Sequence, residues 1–224
     1  VVGISATGNT EAVVDALARA RQAGASTLAL TADAGSKVTQ VADATIPVSG
    51  PLTISIKTRS YVQTLMALYL LALRLAEGNG EVQPDAMDHW RQQMARAAEV
   101  SRRFLARQAG HMEQLAHQFA AAPHVFVLGA GPNIGTANEA SLKVIEMAKI
   151  YSEAQELENF LHGRLREVDR VNPLFLIAPH GASSQRVLDF LTVTDTVGAP
   201  SVVPADRVTP GIEHLATQIV HLPG

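Results

Sequence analysis

Three charged residues, Glu139, Lys143 and Glu146, are spaced so that a single helix would bring their side chains together. They stand at positions i, i+4 and i+7, and a helix turns by about 100° per residue, so all three fall in one stripe. Two carboxylates and an ammonium on one face can move a proton on a bound substrate, or they can form an exposed ladder of ion pairs. Because the neighbouring residues in EASLKVIEMAK are largely apolar, we expect the stripe to face a cleft or an interface.

His162, in the segment FLHGRL, is a further candidate acid or base. A free imidazole gains and loses a proton near neutral pH, which suits it to general acid and base work. A single histidine is also common on protein surfaces without any chemical role. The residue type alone therefore leaves both interpretations open.

The turn SATGNT offers the hydroxyls of Ser5, Thr7 and Thr10 around Gly8, between an apolar strand and the start of a helix. The free backbone N–H groups of a helix N-terminus attract anions, so this turn suits a phosphate. The alternative is that Ser5 or Thr7 only caps the helix. A second glycine turn, GAGPNIG, has the spacing GxGxxxG and no acidic residue at the end of the next strand. We interpret it as a site of close packing and do not expect NAD or FAD.

Strands and helices alternate in the two parts of the chain that carry these residues. Apolar strand patterns that alternate with helices predict parallel sheets covered on both faces. The strands are predicted at VVGIS, TLALTA, ATIPV, HVFVLGAG, PLFLIAP, PSVVPA and QIVHLP. The helices of the second part are predicted at 136–150 and 183–196, and the two strand–turn–helix segments VVGISATGNTEAVVDAL and LFLIAPHGASSQRVLDFL indicate a degenerate repeat.

Two helical stretches, 59–75 and 85–122, separate the α/β parts and are joined by EGNGEVQPD, whose Gly, Asn and Pro are typical of a linker. We therefore predict three segments. A first α/β domain spans 1–80, a helical linker segment spans 81–122, and a second α/β domain spans 123–224.

Composition excludes several classes of function. The chain has 224 residues, of which 47% are hydrophobic and 17% charged, a balance that predicts a folded protein. A net charge of −3 gives no basic surface for nucleic acid, and the absence of cysteine excludes disulfides, thiolate metal sites and cysteine nucleophiles. This absence is typical of a cytoplasmic protein. We predict no membrane segment and no signal peptide, and we interpret YVQTLMALYLLAL (Tyr61 to Leu73) as a buried helix that is too short to span a bilayer.

The motifs resemble, in their order along the chain, those of the sugar isomerase (SIS) family, in particular the isomerase half of glucosamine-6-phosphate synthases. The segment EASLKVIEMAKIYSEAQELENFLHG resembles the pattern E-x-A-L-K-x-x-E, then Y-x-x-A-E, then a helix that reaches H-G-P. ISATGNT is similar to the phosphate loop S-x-S-G-x-T, and KTRSYVQTLMALYLLAL is similar to T-K-x-[FY]-T-x-Q-L. The resemblance covers nearly the whole chain.

The resemblance implies an α/β fold of two SIS-type units with flavodoxin-like parallel sheets, the first without its N-terminal strands in this chain. It also implies a homodimer with the active site at the subunit interface and no metal or redox cofactor. Glu146 would be the base that moves a proton between C1 and C2, Lys143 would assist it, and His162 would open the sugar ring in the neighbouring subunit's site. The residues expected to bind the 6-phosphosugar are Ser5, Thr7, Gly8 and Thr10, with Glu139 in support.

Departures of the chain from the family pattern include Ala6, where a glutamine is common, and Arg164, where H-G-P has its proline. It has no glutaminase domain and no cysteine, so we expect no glutamine-dependent amination. The sequence predicts an isomerase or deaminase acting on a 6-phosphosugar or 6-phospho-amino sugar. The alternatives are a deglycase for fructosamine 6-phosphates and a sugar-phosphate sensor without turnover. Because both Glu146 and His162 are present, we favour an enzyme.

Overall fold

The computed structural model describes residues 1–48 and 56–223, with the exception of the side chain of Pro84. The chain divides into two compact units, Val1–Ala98 and Glu99–Gly224. The division falls within a long helix, Pro84–Phe119, and the three predicted segments 1–80, 81–122 and 123–224 remain a proposal.

The first unit contains a three-stranded parallel sheet in the order β1-β2-β3, with a helix in each crossover, as the strand–helix alternation predicts. Its elements are β1 (Val2–Ile4), α1 (Glu11–Gln22), β2 (Leu28–Thr31), α2 (Lys37–Val41), β3 (Ala44–Pro47) and α3 (Arg59–Gly78), followed by the start of α4 (Pro84–Phe119).

Helix α1 packs closely on the sheet through Leu17, which is fully buried beside Ala29 and Val38. Gly3 of β1 makes this approach possible, because a Cβ there would lie 2.7 Å from Leu17 Cδ1. The contact holds α1 against β1, the two elements that the SATGNT turn connects.

The prediction that the helix around Tyr61–Leu73 is buried is wrong for the described part of the first unit. Helix α3 forms but contains no fully buried residue, and Tyr69 and Leu70 are about half exposed. Among the described residues an open apolar groove of about 630 Å³ lies between α3 and β3, and it leaves part of the apolar face of the helix accessible. No helix of the described chain is both long and apolar enough to cross a membrane.

The second unit contains a five-stranded parallel sheet in the order β5-β4-β6-β7-β8, which is the predicted flavodoxin-like order. The strands are β4 (His124–Gly129), β5 (Tyr151–Glu156), β6 (Leu174–Ile177), β7 (Ser201–Ala205) and β8 (Gln218–His221). The helices are α5 (Asn133–Lys143), α6 (Leu157–Asn159), α7 (Ser184–Val197) and α8 (Pro210–Leu215). Strand β5 is added on one side of β4 and strands β6 to β8 on the other, so the strand order reverses at β4. Ligands of such sheets bind beyond the carboxyl ends of the strands at this point.

The segment between α5 and β6 differs from its prediction. The expected helix 136–150 is wrong at both ends, because α5 begins at Asn133 and gives way to a π-helical turn at Val144–Ala148. Lys149 then adopts a left-handed conformation (φ 60°) that ends the turn. Strand β5 and helix α8 were not predicted. The sequence of β5, YSEAQE, is mostly polar because this strand lies at the edge of the sheet.

Three phenylalanines connect the segment after β5 to the core of the second unit. The rings of Phe126 and Phe160 meet edge to face at 5.2 Å between centroids, and those of Phe160 and Phe190 meet at 5.7 Å. All three are buried. Phe160 begins a second π-helical turn, Phe160–Arg164, so this packing fixes the base of the turn that carries His162.

Candidate active site

The turn after β1 brings the hydroxyls of Ser5 and Thr10 together, with 2.9 Å between their oxygens. Ser5 is 5% exposed, and its backbone N–H donates to Leu30 of β2. The N–H of Gly8 donates to the carbonyl of Ser5, which closes the turn. The two hydroxyls therefore belong to a loop that is fixed to the sheet.

Gly8 is required by the geometry of this loop. Its φ is +66°, and a Cβ at this position would lie 1.8 Å from Ser36 Oγ and 2.8 Å from Thr31 Oγ1. A side chain would meet both the left-handed backbone penalty and two neighbouring residues. The backbone of the loop can lie this close to Ser36 and Thr31 only with glycine.

The alternative interpretation, in which Ser5 or Thr7 caps α1, does not agree with the structure. Thr10 is the N-cap residue, and its side chain makes no capping hydrogen bond to the first turn of α1. Thr7 Oγ1 instead accepts from the N–H of Asn9, at 3.4 Å. The first-turn N–H groups and the neighbouring hydroxyls are therefore not engaged with each other, which is the arrangement that an anion site needs.

In the second unit Lys143 lies between Glu139 and Glu146. Its Nζ is 3.3 Å from Glu139 Oε1 and 2.7 Å from Glu146 Oε2. The side chain of Lys143 is 18% exposed and that of Glu146 is 34% exposed, so the carboxylate that Lys143 holds most closely is also open to solvent. Burial lowers the pKa of Lys143. The hydrogen bonds to Glu146 and Glu139 and the charges of these carboxylates raise it by more, so the pKa of Lys143 is raised overall. Lys143 is thus a cation between two carboxylates.

Glu146 stands on the π-helical turn Val144–Ala148 and not on regular helix. Such turns are frequent at functional sites because they redirect a side chain within an otherwise helical segment. Here Val144 packs inward against the β4 side of the sheet, whereas Ile145 and Met147 are exposed on either side of Glu146. The stripe predicted from the sequence therefore faces outward from the unit on an apolar surface.

His162 lies elsewhere in the second unit, on the π-helical turn Phe160–Arg164. Its side chain is 75% exposed, and Nε2 is 2.9 Å from Glu158 Oε1. Among the described residues it forms no hydrogen bond with Glu146. The structure thus brings together Glu139, Lys143 and Glu146, and separately Ser5 and Thr10, and it does not join His162 to the Glu146 cluster within the second unit.

The glycine turn after β4 has the structural role that we expected. A Cβ on Gly129 would lie 2.4 Å from the carbonyl oxygen of Asn133, and Gly131 has a φ of +56°. The turn therefore lets α5 begin directly against the end of β4, which places the Glu139–Lys143–Glu146 stripe.

Comparison with known proteins identifies relatives over the whole length of the chain. No protein-family model matches the chain. The glutamine–fructose-6-phosphate aminotransferase (isomerizing) of Mycobacterium bovis is 26% identical over 228 residues, which cover 100% of this chain and 36% of that protein. The corresponding protein of Thermococcus kodakarensis is 26% identical over 208 residues, 92% of this chain and 34% of its own length.

Solved structures give the same result at the level of the fold. The C-terminal domain of glucosamine-fructose-6-phosphate aminotransferase from Francisella tularensis superposes with a TM-score of 0.90 at 18% identity, over 99% of this chain and 63% of its own. The homologues of the chain are isomerase (SIS) domains. Glucosamine-6-phosphate deaminase from Thermotoga maritima also matches, with a TM-score of 0.70 at 20% identity over 94% of this chain and 60% of its own. The chain spans about a third of the length of the curated relatives.

Arg164, which replaces the proline of the SIS pattern, fixes the turn by ion pairs. It bonds to Glu153 of β5 and, through Nε and Nη2, to both carboxylate oxygens of Glu167 at 2.9 Å. Its guanidinium also lies 6.0 Å from the centre of the Phe126 ring. The arginine therefore ties the His162 turn to two strands of the sheet, in the place where a proline would restrict the backbone.

Sequence reasoning missed Glu158 and Arg186, which accompany His162. Arg186 of α7 donates to both carboxylate oxygens of Glu158, across 28 residues of sequence. Only the strand order of the sheet brings α7 beside α6, so no local motif could have indicated this contact.

We predict that the stability of the second unit falls as the pH is lowered from about 4.5 to about 2. The hydrogen bonds from Arg186, and to a lesser degree the one from His162, lower the pKa of Glu158 from 4.5 to about 2. This stabilisation is fully present above pH 4.5 and is lost as the pH falls towards about 2. In the unfolded chain Glu158 takes up its proton near pH 4.5, whereas in the folded chain it does so only near pH 2. Denaturant midpoints measured across this range should fall less steeply in Glu158→Gln than in the parent chain. Equal slopes in the two proteins would contradict the prediction, and high salt should weaken the difference because the ion pair is exposed.

Proposed function

We propose that the chain is the isomerase region of an enzyme that moves a proton between C1 and C2 of a 6-phosphosugar or 6-phospho-amino sugar. The observation that carries the proposal is the Lys143 cation held at 2.7 Å from the solvent-accessible carboxylate of Glu146. The relatives include isomerising aminotransferases, and a deaminase for an amino-sugar phosphate shares the fold.

The proposed phosphate site is the turn of Ser5, Thr7, Gly8 and Thr10. Its support is the start of α1, which the Thr10 side chain does not cap, together with the paired hydroxyls of Ser5 and Thr10 and the close backbone approach that Gly8 permits. Hydroxyls and backbone N–H groups can together donate several hydrogen bonds to one phosphate without any basic side chain.

In the proposed reaction the Glu146 carboxylate removes a proton from the carbon next to the carbonyl or imine. The electrons of that C–H bond form the C1–C2 double bond, and the π electrons of the carbonyl or imine move to its oxygen or nitrogen. The same carboxyl group then returns this proton to the other carbon. The proton on the oxygen or nitrogen of the first carbon passes to the oxygen or nitrogen of the second, and the first carbon becomes the new carbonyl or imine carbon. Lys143 would hold the carboxylate in position and lower the cost of the negative charge that develops on the intermediate, with Glu139 as its second anionic partner.

We also propose that the chain forms a homodimer in which His162 contributes to the partner's site. The support is the position of His162, which is highly exposed and not bonded to Glu146 in its own unit. A second support is the apolar surface beside Glu146, where Leu142, Ile145 and Met147 are all exposed, since apolar patches of this kind mark interaction sites.

The products formed from three sugars test whether the chain is an enzyme and distinguish an isomerase from a deaminase and a deglycase. The full chain is incubated with fructose 6-phosphate, glucosamine 6-phosphate or an amino-acid adduct of fructose 6-phosphate, and products are identified by NMR. An aldose phosphate indicates an isomerase, released ammonia a deaminase, and a released amino acid a deglycase. Binding of all three sugars without any product would replace the enzyme by a sugar-phosphate sensor.

A further inference from the structure

Glu158 and Arg186 form a two-point ion pair beside His162. Arg186 Nε donates to Glu158 Oε2 at 2.9 Å, and Nη2 donates to Oε1 at 2.5 Å. The guanidinium also donates to Asp189 Oδ2 at 3.2 Å, so it is held on two carboxylates. The same Oε1 of Glu158 lies 2.9 Å from His162 Nε2. Oε1 of Glu158 is therefore the hydrogen-bond partner of both the arginine and the imidazole.

The position of Glu158 is fixed from several directions. Its backbone N–H donates to Glu156 Oε2 at 2.8 Å, which caps α6. The next turn is anchored by the buried ring of Phe160, and Arg186 belongs to the regular helix α7. The acceptor of the His162 hydrogen bond is thus held at its backbone by the cap of α6 and at its carboxylate by two hydrogen bonds from Arg186.

The charge of Glu158 determines which nitrogen of His162 carries the proton. The hydrogen bonds of Arg186 lower the pKa of Glu158 to about 2, so the carboxylate is ionised throughout the neutral range. An ionised carboxylate only accepts hydrogen bonds, and Nε2 must then be the donor. In the neutral imidazole this leaves the lone pair on Nδ1, which the hydrogen bond does not occupy.

We propose that Glu158 and Arg186 are positioning residues that hold His162 in its Nε2–H tautomer, so that Nδ1 is the atom that exchanges a proton with the sugar ring. This inference rests on the proposed function, because it assigns the ring-opening step. Nδ1 accepts the proton of the anomeric hydroxyl as that oxygen forms the carbonyl. The bond between the anomeric carbon and the ring oxygen breaks, its electron pair stays on the ring oxygen, and this oxygen takes the proton back from Nδ1.

The tautomer can be measured without a substrate. The full chain is labelled with ¹⁵N-histidine, its ring signals are recorded at a pH where the imidazoles are neutral, and His162→Gln identifies the signals of His162. We expect the proton on Nε2 in the parent chain and in the control Asp189→Asn, which removes a partner of Arg186 without changing Glu158. Glu158→Gln should shift the signals towards a mixture of tautomers, because an amide can donate or accept. A proton on Nδ1 in the parent chain would overturn the proposal.

Two substrates separate ring opening from proton transfer at carbon. Fructose 6-phosphate closes its ring through the 5-hydroxyl, whereas 5-deoxyfructose 6-phosphate lacks this hydroxyl and cannot form the furanose. Glu158→Gln and Arg186→Met should slow C1 deuterium exchange of fructose 6-phosphate by about tenfold and leave exchange of the deoxy sugar unchanged, while Arg186→Lys should recover part of the loss. Equal slowing of both sugars, or no slowing of either, would contradict the positioning role. If the parent chain exchanges neither sugar, the proposed function fails, and the tautomer measurement still decides the state of His162.

Discussion

Glu146→Gln should lower the rate of proton exchange at C1 and C2 of the bound sugar by about 10²–10⁴-fold and leave sugar-phosphate affinity nearly unchanged. The amide has almost the shape of the carboxylate but cannot accept the carbon-bound proton. It can still accept the hydrogen bond that Lys143 Nζ makes at 2.7 Å, so the local geometry should persist. Exchange is followed by NMR in D2O, and affinity is measured by titration with the same sugar.

A second glutamate of the same unit serves as the matched control for Glu146. Glu113→Gln removes an exposed carboxylate on α4 and should leave both exchange and affinity at the parent values. If Glu146→Gln retains the parent exchange rate, Glu146 is not the base. If it loses affinity and exchange together, the residue binds the sugar or supports the fold, and the proposed role is wrong.

Ser5→Ala combined with Thr10→Val should weaken binding of a 6-phosphosugar by about tenfold or more. The two hydroxyls lie 2.9 Å apart beside the uncapped start of α1, and a hydrogen bond to a charged group contributes about 1.5–3 kcal/mol. Binding of the matching sugar without its phosphate should change little. Titration calorimetry with the two sugars measures this difference directly.

Thr45→Val is the control for general damage to the first unit. It removes a hydroxyl from β3 at the position that pairs with Ala29, away from the turn, and should leave phosphosugar affinity unchanged. Unaltered affinity in the Ser5 and Thr10 double variant would show that the turn has no part in phosphate binding. Equal weakening for the sugars with and without phosphate would show that the loss is not specific to phosphate.

The fold could be predicted well where one physical pattern dominates. The apolar strands of both sheets and helices α1 and α7 follow from hydrophobic periodicity, and the flavodoxin-like order of the second sheet agrees with the resemblance. Strand β5 could not be found in the same way, because an edge strand with a polar sequence lacks the apolar run of its neighbours. The apolar composition of α3 indicated a buried helix, but composition cannot show that part of the helix lines a groove against β3 in the described part of the chain.

In the candidate site, too, contacts within one element could be predicted and contacts between elements could not. The spacing of Glu139, Lys143 and Glu146 predicts one stripe, and their contacts agree with it even though the helix changes to a π-helical turn after Lys143. The partners of His162 could not be predicted, since Arg186 reaches Glu158 from α7 through the tertiary fold. Local periodicity describes contacts within one element, whereas the strand order determines which elements become neighbours.

Deuterium incorporation shows directly whether the chain moves a proton between C1 and C2 of a bound sugar. The full chain is placed in D2O with fructose 6-phosphate, glucosamine 6-phosphate and an amino-acid adduct of fructose 6-phosphate, and the C1 and C2 proton signals are followed by NMR. We predict that at least one sugar loses its C1 or C2 proton signal in the parent chain and retains it in Glu146→Gln. Sugars that bind, as shown by line broadening, but never take up deuterium would contradict proton transfer between C1 and C2 as the function of this chain.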